Sequence, residues 1–183
     1  MIYLDSIKDK VFTAQFSKKG VEPEKVKLVL KAGGKAETTN NLMPQRIMLL
    51  EGGSSAQKLL PCLKTIVESP MSLLVCYDNV VSWKNPGSGM DAGLTDVEQV
   101  VRGMTCALYN LGLCVYYNKD FYQKRLRETF NIPGNITPVV VLHVGYPAKL
   151  EFISDYVCSD AEGVNGWIRF KGIFPGRHAN YPK

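Results

Sequence analysis

Histidine is nearly missing from this 183-residue chain, which has two, and the five cysteines Cys62, Cys76, Cys106, Cys114 and Cys158 are scattered without a C-x-x-C pair. A zinc centre therefore lacks a ligand set, and no metal is expected. The odd, unspaced cysteines predict reduced thiols, mostly buried, rather than a disulfide framework. Long apolar runs are also missing: none approaches the roughly 18 to 20 residues that cross a bilayer. The opening Met1-Ile2-Tyr3-Leu4-Asp5 has no basic leader ahead of an apolar stretch. These features predict a cytoplasmic protein with no membrane partner.

Several chemistries lack their parts as well. Neither G-x-G-x-x-G nor G-x-x-x-x-G-K-[ST] occurs, which disfavours a standard dinucleotide fold and a P-loop. Without H-E-x-x-H or G-x-S-x-G there is no zinc-protease or serine-hydrolase signature. His143 sits inside an apolar run and reads as a hydrogen-bonded core histidine rather than a catalytic base; His178 reads as solvated.

What is present is an ordinary globular composition, 45% hydrophobic and 21% charged, long enough to bury one core. The net charge of +5 comes from dispersed Lys and Arg. A nucleic-acid binder clusters its cations along a stripe, so no nucleic-acid partner is expected.

Periodicity places the elements. Residues Ile2 to Lys10 suit a first helix, and Pro23 opens a second that carries Val26, Leu28, Val29 and Leu30 to Gly33-Gly34. After the polar loop Glu37 to Asn41, Ile47 to Leu50 reads as a buried strand closed by Gly52-Gly53, and Ser54 or Ser55 caps a helix through Leu60 and Leu63. Ser72 to Tyr77 is a further strand, and Asn85-Pro86-Gly87-Ser88-Gly89 is a loop. A capping box, Thr95-x-x-Glu98, predicts a long helix whose core face is Val97, Val100, Val101, Met104, Leu108 and Leu111, ending at Gly112. A helix around Phe121, Leu126 and Phe130 precedes Pro138 to Val144, an unbroken apolar strand buried on both faces. Alternating strands and helices predict an α+β or α/β sandwich in one domain, 1–183. The irregular stretch 151–183 reads as an arm.

Four blocks, in order and spacing, resemble the nitroreductase family along residues 2 to 147. Lys10-Val11-Phe12-Thr13-Ala14-Gln15-Phe16 stands in the place of the family's R-R-S-x-R-x-[FY], and Ala36 to Arg46 is similar to A-P-S-x-x-N-x-Q-P-W-R at Ala36, Asn41, Pro44 and Arg46. The helix from Asp96 to the turn Gly112-Leu113 resembles the family's D-x-G helix and G-L-G turn. The fourth block, Leu126-x-x-x-Phe130-x-Ile132-Pro133 followed by Val139 to Pro147 with Gly145-Tyr146-Pro147, is the most specific.

The resemblance implies a mixed central sheet sandwiched by helices, and a domain-swapped homodimer with FMN in each of two interfacial clefts. It also implies NAD(P)H as electron donor and a small acceptor such as a nitroaromatic or quinone. It assigns cofactor binding to Lys10, Phe12, Thr13 and Ala14, to Asn41 and Met43, and to Lys119 and Asp120 beyond the Gly112 turn. Val11, Phe12 and Ala14 replace the first block's usual basic and hydroxyl residues, and Glu37 and Thr38 stand where Pro and Ser are usual. These departures keep open an alternative: a degenerate flavin-binding module of the same fold without nicotinamide turnover.

Overall fold

The computed structural model describes residues 15–148 and the backbone of 162–164 and 167–169. The helix expected over Ile2 to Lys10 lies outside the described residues. The chain divides into two compact units, Met1–Phe152 and Ile153–Lys183. In the second, β5 (Glu162–Val164) and β6 (Trp167–Arg169) form an antiparallel pair.

The first unit is a sheet between two helical layers. Its strands are β1 (Gln45–Glu51), β2 (Met71–Asp78), β3 (Cys114–Asn118) and β4 (Ile136–Gly145), in the order β1-β2-β4-β3. All described pairings in it are antiparallel, so no parallel member of a mixed sheet occurs among the described residues. The two central strands, β2 and β4, are apolar runs because both their faces are covered. Met71, Leu73, Val75, Val140, Leu142 and Val144 meet one helical layer, while Leu74, Cys76 and Val141 meet the other. Pro138, which cannot donate to a ladder, sits beside the β4 irregularity where Val75 pairs with Val140 and Cys76 with Pro138. Strand β3 reaches only as far as Val141, so the missing donor is not needed on that side.

One layer is α1 (Pro23–Gly34) crossing α3 (Gly93–Asn110). Pro23 at the first turn needs no amide partner, as expected. The buried face of α1 is Val26, Val29 and Gly33; Leu28 points outward and is half exposed, a correction to its expected core role. A Cβ on Gly33 would lie 2.9 Å from the Met104 side chain, so glycine sets how closely the helices approach.

Helix α3 buries Val97, Val100, Val101, Met104 and Leu108, as its spacing predicts, but it starts earlier than the expected capping box. Thr95 caps nothing. Instead the Gly93 amide donates to Asp91 Oδ1 at 2.8 Å, and Gly93 packs under the Tyr77 ring, where a Cβ would come within 2.2 Å. The other layer is α2 (Gly52–Leu59) and α4 (Gln123–Phe130). Neither Ser54 nor Ser55 caps α2: β1 turns straight into it through Gly52 at φ 79°. Leu63 and Phe121, both expected in helices, lie outside them and form an isolated antiparallel bridge with each other.

Candidate functional site

Asn41 and Met43 lie on the loop between α1 and β1, whose conformation is costly and held from several sides. Asn40, Asn41 and Met43 all have left-handed backbones, at φ 52°, 56° and 51°. Asparagine tolerates this region through its short polar side chain, whereas methionine does not visit it freely. Met43 is fixed there because its amide donates to Thr38 Oγ1 at 3.0 Å and its carbonyl accepts from the Arg46 guanidinium at 3.2 Å. The loop is tied to α3 by Thr39, whose amide and hydroxyl donate to Asp96 Oδ1 at 2.7 and 2.8 Å. Asn41, Leu42 and Met43 consequently face solvent, Leu42 at 42% and Met43 at 44% exposure.

A second polar tie fixes the same end of the sheet. Asp78, the last residue of β2, accepts from the Asn135 amide at 3.0 Å, the Val80 amide at 3.1 Å and Arg46 at 3.2 Å. The Asn135 hydrogen bond, then the neighbouring backbone amides and Arg46, hold its carboxyl below the usual carboxylate range. Val80, Met90 and Leu94, exposed at 75%, 62% and 51%, belong to the loop after β2 and the first turn of α3. That loop is built as expected, with Asn85 Oδ1 accepting from the Gly87 and Ser88 amides. Asn41 is thus exposed at this sheet end and is followed in the loop by the exposed apolar side chains of Leu42 and Met43.

Lys119 and Asp120 stand elsewhere. Lys119 pairs with Glu98 at 3.2 Å, and the Asp120 amide donates to Asn118 Oδ1 at 3.0 Å. Thr39 meets α3 at Asp96 and Lys119 meets it at Glu98; two residues on a helix turn it by roughly 200°, so the contacts are on opposite flanks. Their neighbouring strands, β1 and β3, are opposite edges of the sheet, three spacings or roughly 14 Å apart.

Lys10, Phe12, Thr13 and Ala14 lie outside the described residues. The chain just after them is anchored at the far end of β4. The Ala148 amide donates to the Gln15 carbonyl at 3.1 Å, the Ser17 amide to the Tyr146 carbonyl at 2.8 Å, and Phe16 bridges Pro147. Asn41, by contrast, precedes Gln45, which pairs with Tyr77 and through it with Thr137. From Thr137 to Gly145 a strand rises about 26 Å. Within the described residues, Gln15 and Asn41 therefore lie toward opposite ends of the sheet.

The Gly145-Tyr146-Pro147 turn makes the anchor. Tyr146 donates to Glu22 Oε2 at 2.6 Å and accepts from Lys25 at 2.7 Å, and the Lys19 ammonium lies 4.1 Å from its ring centroid. Lys25 also donates to the Leu111 carbonyl at the C-terminus of α3, where a cation is favoured.

His143 is the expected core histidine. Its Nδ1 lies 3.1 Å from Ser72 Oγ and 3.2 Å from Ser69 Oγ, and its Nε2 lies 3.4 Å from Asn118 Nδ2. Because Asn118 Oδ1 accepts from Asp120, its Nδ2 must be the donor toward Nε2, so the proton of neutral His143 belongs on Nδ1. Burial lowers its pKa to about 4. Burial likewise pushes the Cys76 thiol up to about 12 and the Cys114 thiol up to about 11, consistent with unreactive thiols. The described cysteines are all free. No group of three metal-ligating side chains and no helix long and apolar enough to cross a membrane occurs among the described residues.

The residues that sequence reasoning missed are Thr38, Thr39 and Asp96. Their signal was faint: two hydroxyls beside two asparagines, and a helix-start aspartate with no visible partner. No family profile and no curated sequence matches the chain. Solved structures do. It is similar to a nitroreductase family protein from Clostridium difficile, 28% identical, with a TM-score of 0.78 over 81% of this chain and 86% of that one. An FMN-dependent nitroreductase from Clostridium difficile R20291 is 16% identical, with a TM-score of 0.69 over 80% and 88%. A Parabacteroides distasonis protein, provisionally named an NADH dehydrogenase/NAD(P)H nitroreductase, is 19% identical, with a TM-score of 0.75 over 90% and 98%. Sheet order, helical layers and these likenesses together give the chain the nitroreductase-like fold.

Proposed function

We propose that the protein is an FMN-dependent oxidoreductase working as a homodimer, with NAD(P)H as donor and a small acceptor such as a nitroaromatic or quinone. The observation that carries this reading is the pinned, exposed loop around Asn41. No hydrogen bond within the described fold uses the Asn41 side-chain amide, and Leu42 and Met43 flank it with apolar surface. An edge with one amide among apolar groups suits the polar rim and flat face of an isoalloxazine, so the residues present fit the ring end of FMN. The names of similar structures, one FMN-dependent and one an NAD(P)H nitroreductase, support the same cofactor and donor.

The separation of the candidates supports the dimer. A two-fold axis that ran two copies antiparallel would set one protomer's Asn41 loop against the Gln15 end of the other and let Lys10 to Ala14 reach the phosphate. Lys119 and Asp120 would border the ring from the β3 edge. Bound there, FMN would supply the redox chemistry, exchanging electrons between nicotinamide and acceptor. The chain's own residues bind and orient: Asn41 holds the polar rim, Leu42 and Met43 exclude water from one side, and the fixed loop spares the ordering entropy on binding.

The test is the visible absorption of freshly purified protein, mass spectrometry of what it releases, and stopped-flow mixing with NADH or NADPH. Yellow protein bleached by nicotinamide and recoloured by a quinone is the expected result. The replaced side chains Val11, Phe12 and Ala14 favour one other outcome: flavin binds but nicotinamide leaves it oxidised, which makes the protein a flavin-binding module. Protein that holds no flavin overturns both.

A further inference from the structure

We infer that Asp96 is a positioning residue for the flavin-contacting loop, holding Asn41 and Met43 in place through Thr39. The inference rests on the flavin reading above. Its geometry is complete within the described residues. Asp96 is 2% exposed, and its Oδ1 takes both the amide and the hydroxyl of Thr39 at 2.7 and 2.8 Å. Bonds of this length to a carboxylate are charge-assisted and stronger than neutral ones. They hold the start of a loop with three left-handed non-glycine residues, a conformation that persists only where surrounding structure enforces it.

The second oxygen of Asp96 argues that the carboxylate is not there for stability. Oδ2 is buried and has no hydrogen-bond partner among the described residues. A buried acceptor without a donor is destabilising, more so when charged. A side chain chosen only to join a loop to a helix would satisfy both its polar atoms. Asp96 instead leaves one unmet while giving the other entirely to Thr39. The position in the first turn of α3 offsets part of that deficit, since the helix N-terminus favours negative charge. The remainder is what a held loop costs the fold.

Four full-length variants test this: Asp96→Asn, Asp96→Ala, Thr39→Val and Thr39→Ser. The readouts are dissociation constants for FMN and riboflavin and the melting temperature of the flavin-free protein. Asp96→Asn, which loses the charge behind both Thr39 bonds, and Thr39→Val, which loses the hydroxyl bond, are expected to weaken both flavins equally, by about 2- to 10-fold. The loss should be equal because the loop meets the ring and not the phosphate. Asp96→Asn should melt at or above the parent temperature, because a neutral amide in the unpartnered position costs less to bury than a carboxylate charge; a role confined to stability would lower it. Thr39→Ser restores the hydroxyl and should restore binding. If Asp96→Ala fails to fold, the Thr39 pair, at a partly exposed position, still decides. Parent-like affinity in both Asp96→Asn and Thr39→Val overturns the inference while leaving the flavin reading intact. A parent that binds neither flavin overturns the flavin reading and the inference with it.

Discussion

The Tyr146 hydroxyl donates a 2.6 Å hydrogen bond to the Glu22 carboxylate, joining the turn after β4 to the residue that precedes α1. That bond, then the Glu22 backbone and Lys19, bring the Glu22 pKa down to about 2. Tyr146→Phe keeps the ring under Lys19 and removes the hydroxyl alone, so Glu22 should titrate nearer its ordinary value of 4.5. A folded pKa below the unfolded one gives stability that is present above about pH 4.5 and lost as pH falls toward 2. The variant should lose part of that acid dependence. Carboxyl chemical shifts followed by NMR between pH 2 and 6 check it; an unmoved Glu22 would show that Lys19 and the backbone suffice.

His143 predicts a second, separate acid transition. Its neighbours are Ser69, Ser72, Asn118 and the ring of Tyr116, and none of these bonds supplies an anion to stabilise an imidazolium. With a folded pKa of about 4 against an ordinary 6.5, protonation favours the unfolded chain. Stability is therefore full above about pH 6.5 and falls as pH drops toward 4, by up to about 3 kcal/mol if this group acts alone. Urea midpoints at pH 7 and pH 5 should differ in the parent, and the difference should shrink in His143→Leu even though that variant is less stable at both. An equal pH dependence in the two proteins would assign the transition to other groups.

Much of this fold was legible because its signals are periodic. Val97 to Leu108 announces α3, and Val139 to Val144 announces a strand covered on both faces. What the sequence hid was non-local. The start of α3 is set by Asp91 and the Tyr77 ring rather than by Thr95, and a helix that begins against a strand residue gives no local sign of it. Strand β3 was missed as a strand because it is short and follows the Gly112 turn directly; pairing with the edge of β4 is what makes it one. The candidate site divided in the same way. Asn41 was nominated through family resemblance, but Asp96 and Thr39 are separated by 57 positions and nothing in either stretch names the other.

The Gly93 contact predicts a steep steric response. A Cβ there would lie 2.2 to 2.7 Å from three ring carbons of Tyr77, an aromatic wall that cannot bend aside like the tip of a flexible chain. Gly93→Ala should destabilise by about 1 to 3 kcal/mol despite the better helix propensity of alanine. Adding Tyr77→Leu should recover part of the loss, so the double variant should be more stable than the sum of the single changes allows. Denaturant unfolding of all four proteins measures this; strict additivity would place the strain elsewhere.

Lys10 carries the last prediction, which concerns the phosphate. In the first block the other usual basic positions hold Val11 and Ala14, so Lys10 is proposed as the principal cation left for an FMN phosphate. A charge-assisted bond to phosphate contributes about 1.5 to 3 kcal/mol, so Lys10→Ala should weaken FMN roughly 10- to 150-fold. Riboflavin has no phosphate and should bind parent and variant equally. That contrast separates the phosphate end of the site from the ring end, where changes at Asp96 or Thr39 should affect both flavins alike. Titrating FMN and riboflavin against parent and Lys10→Ala therefore decides the assignment: an unchanged FMN affinity would place the phosphate on another cation, with Lys8 and the C-terminal arginines next to be tested.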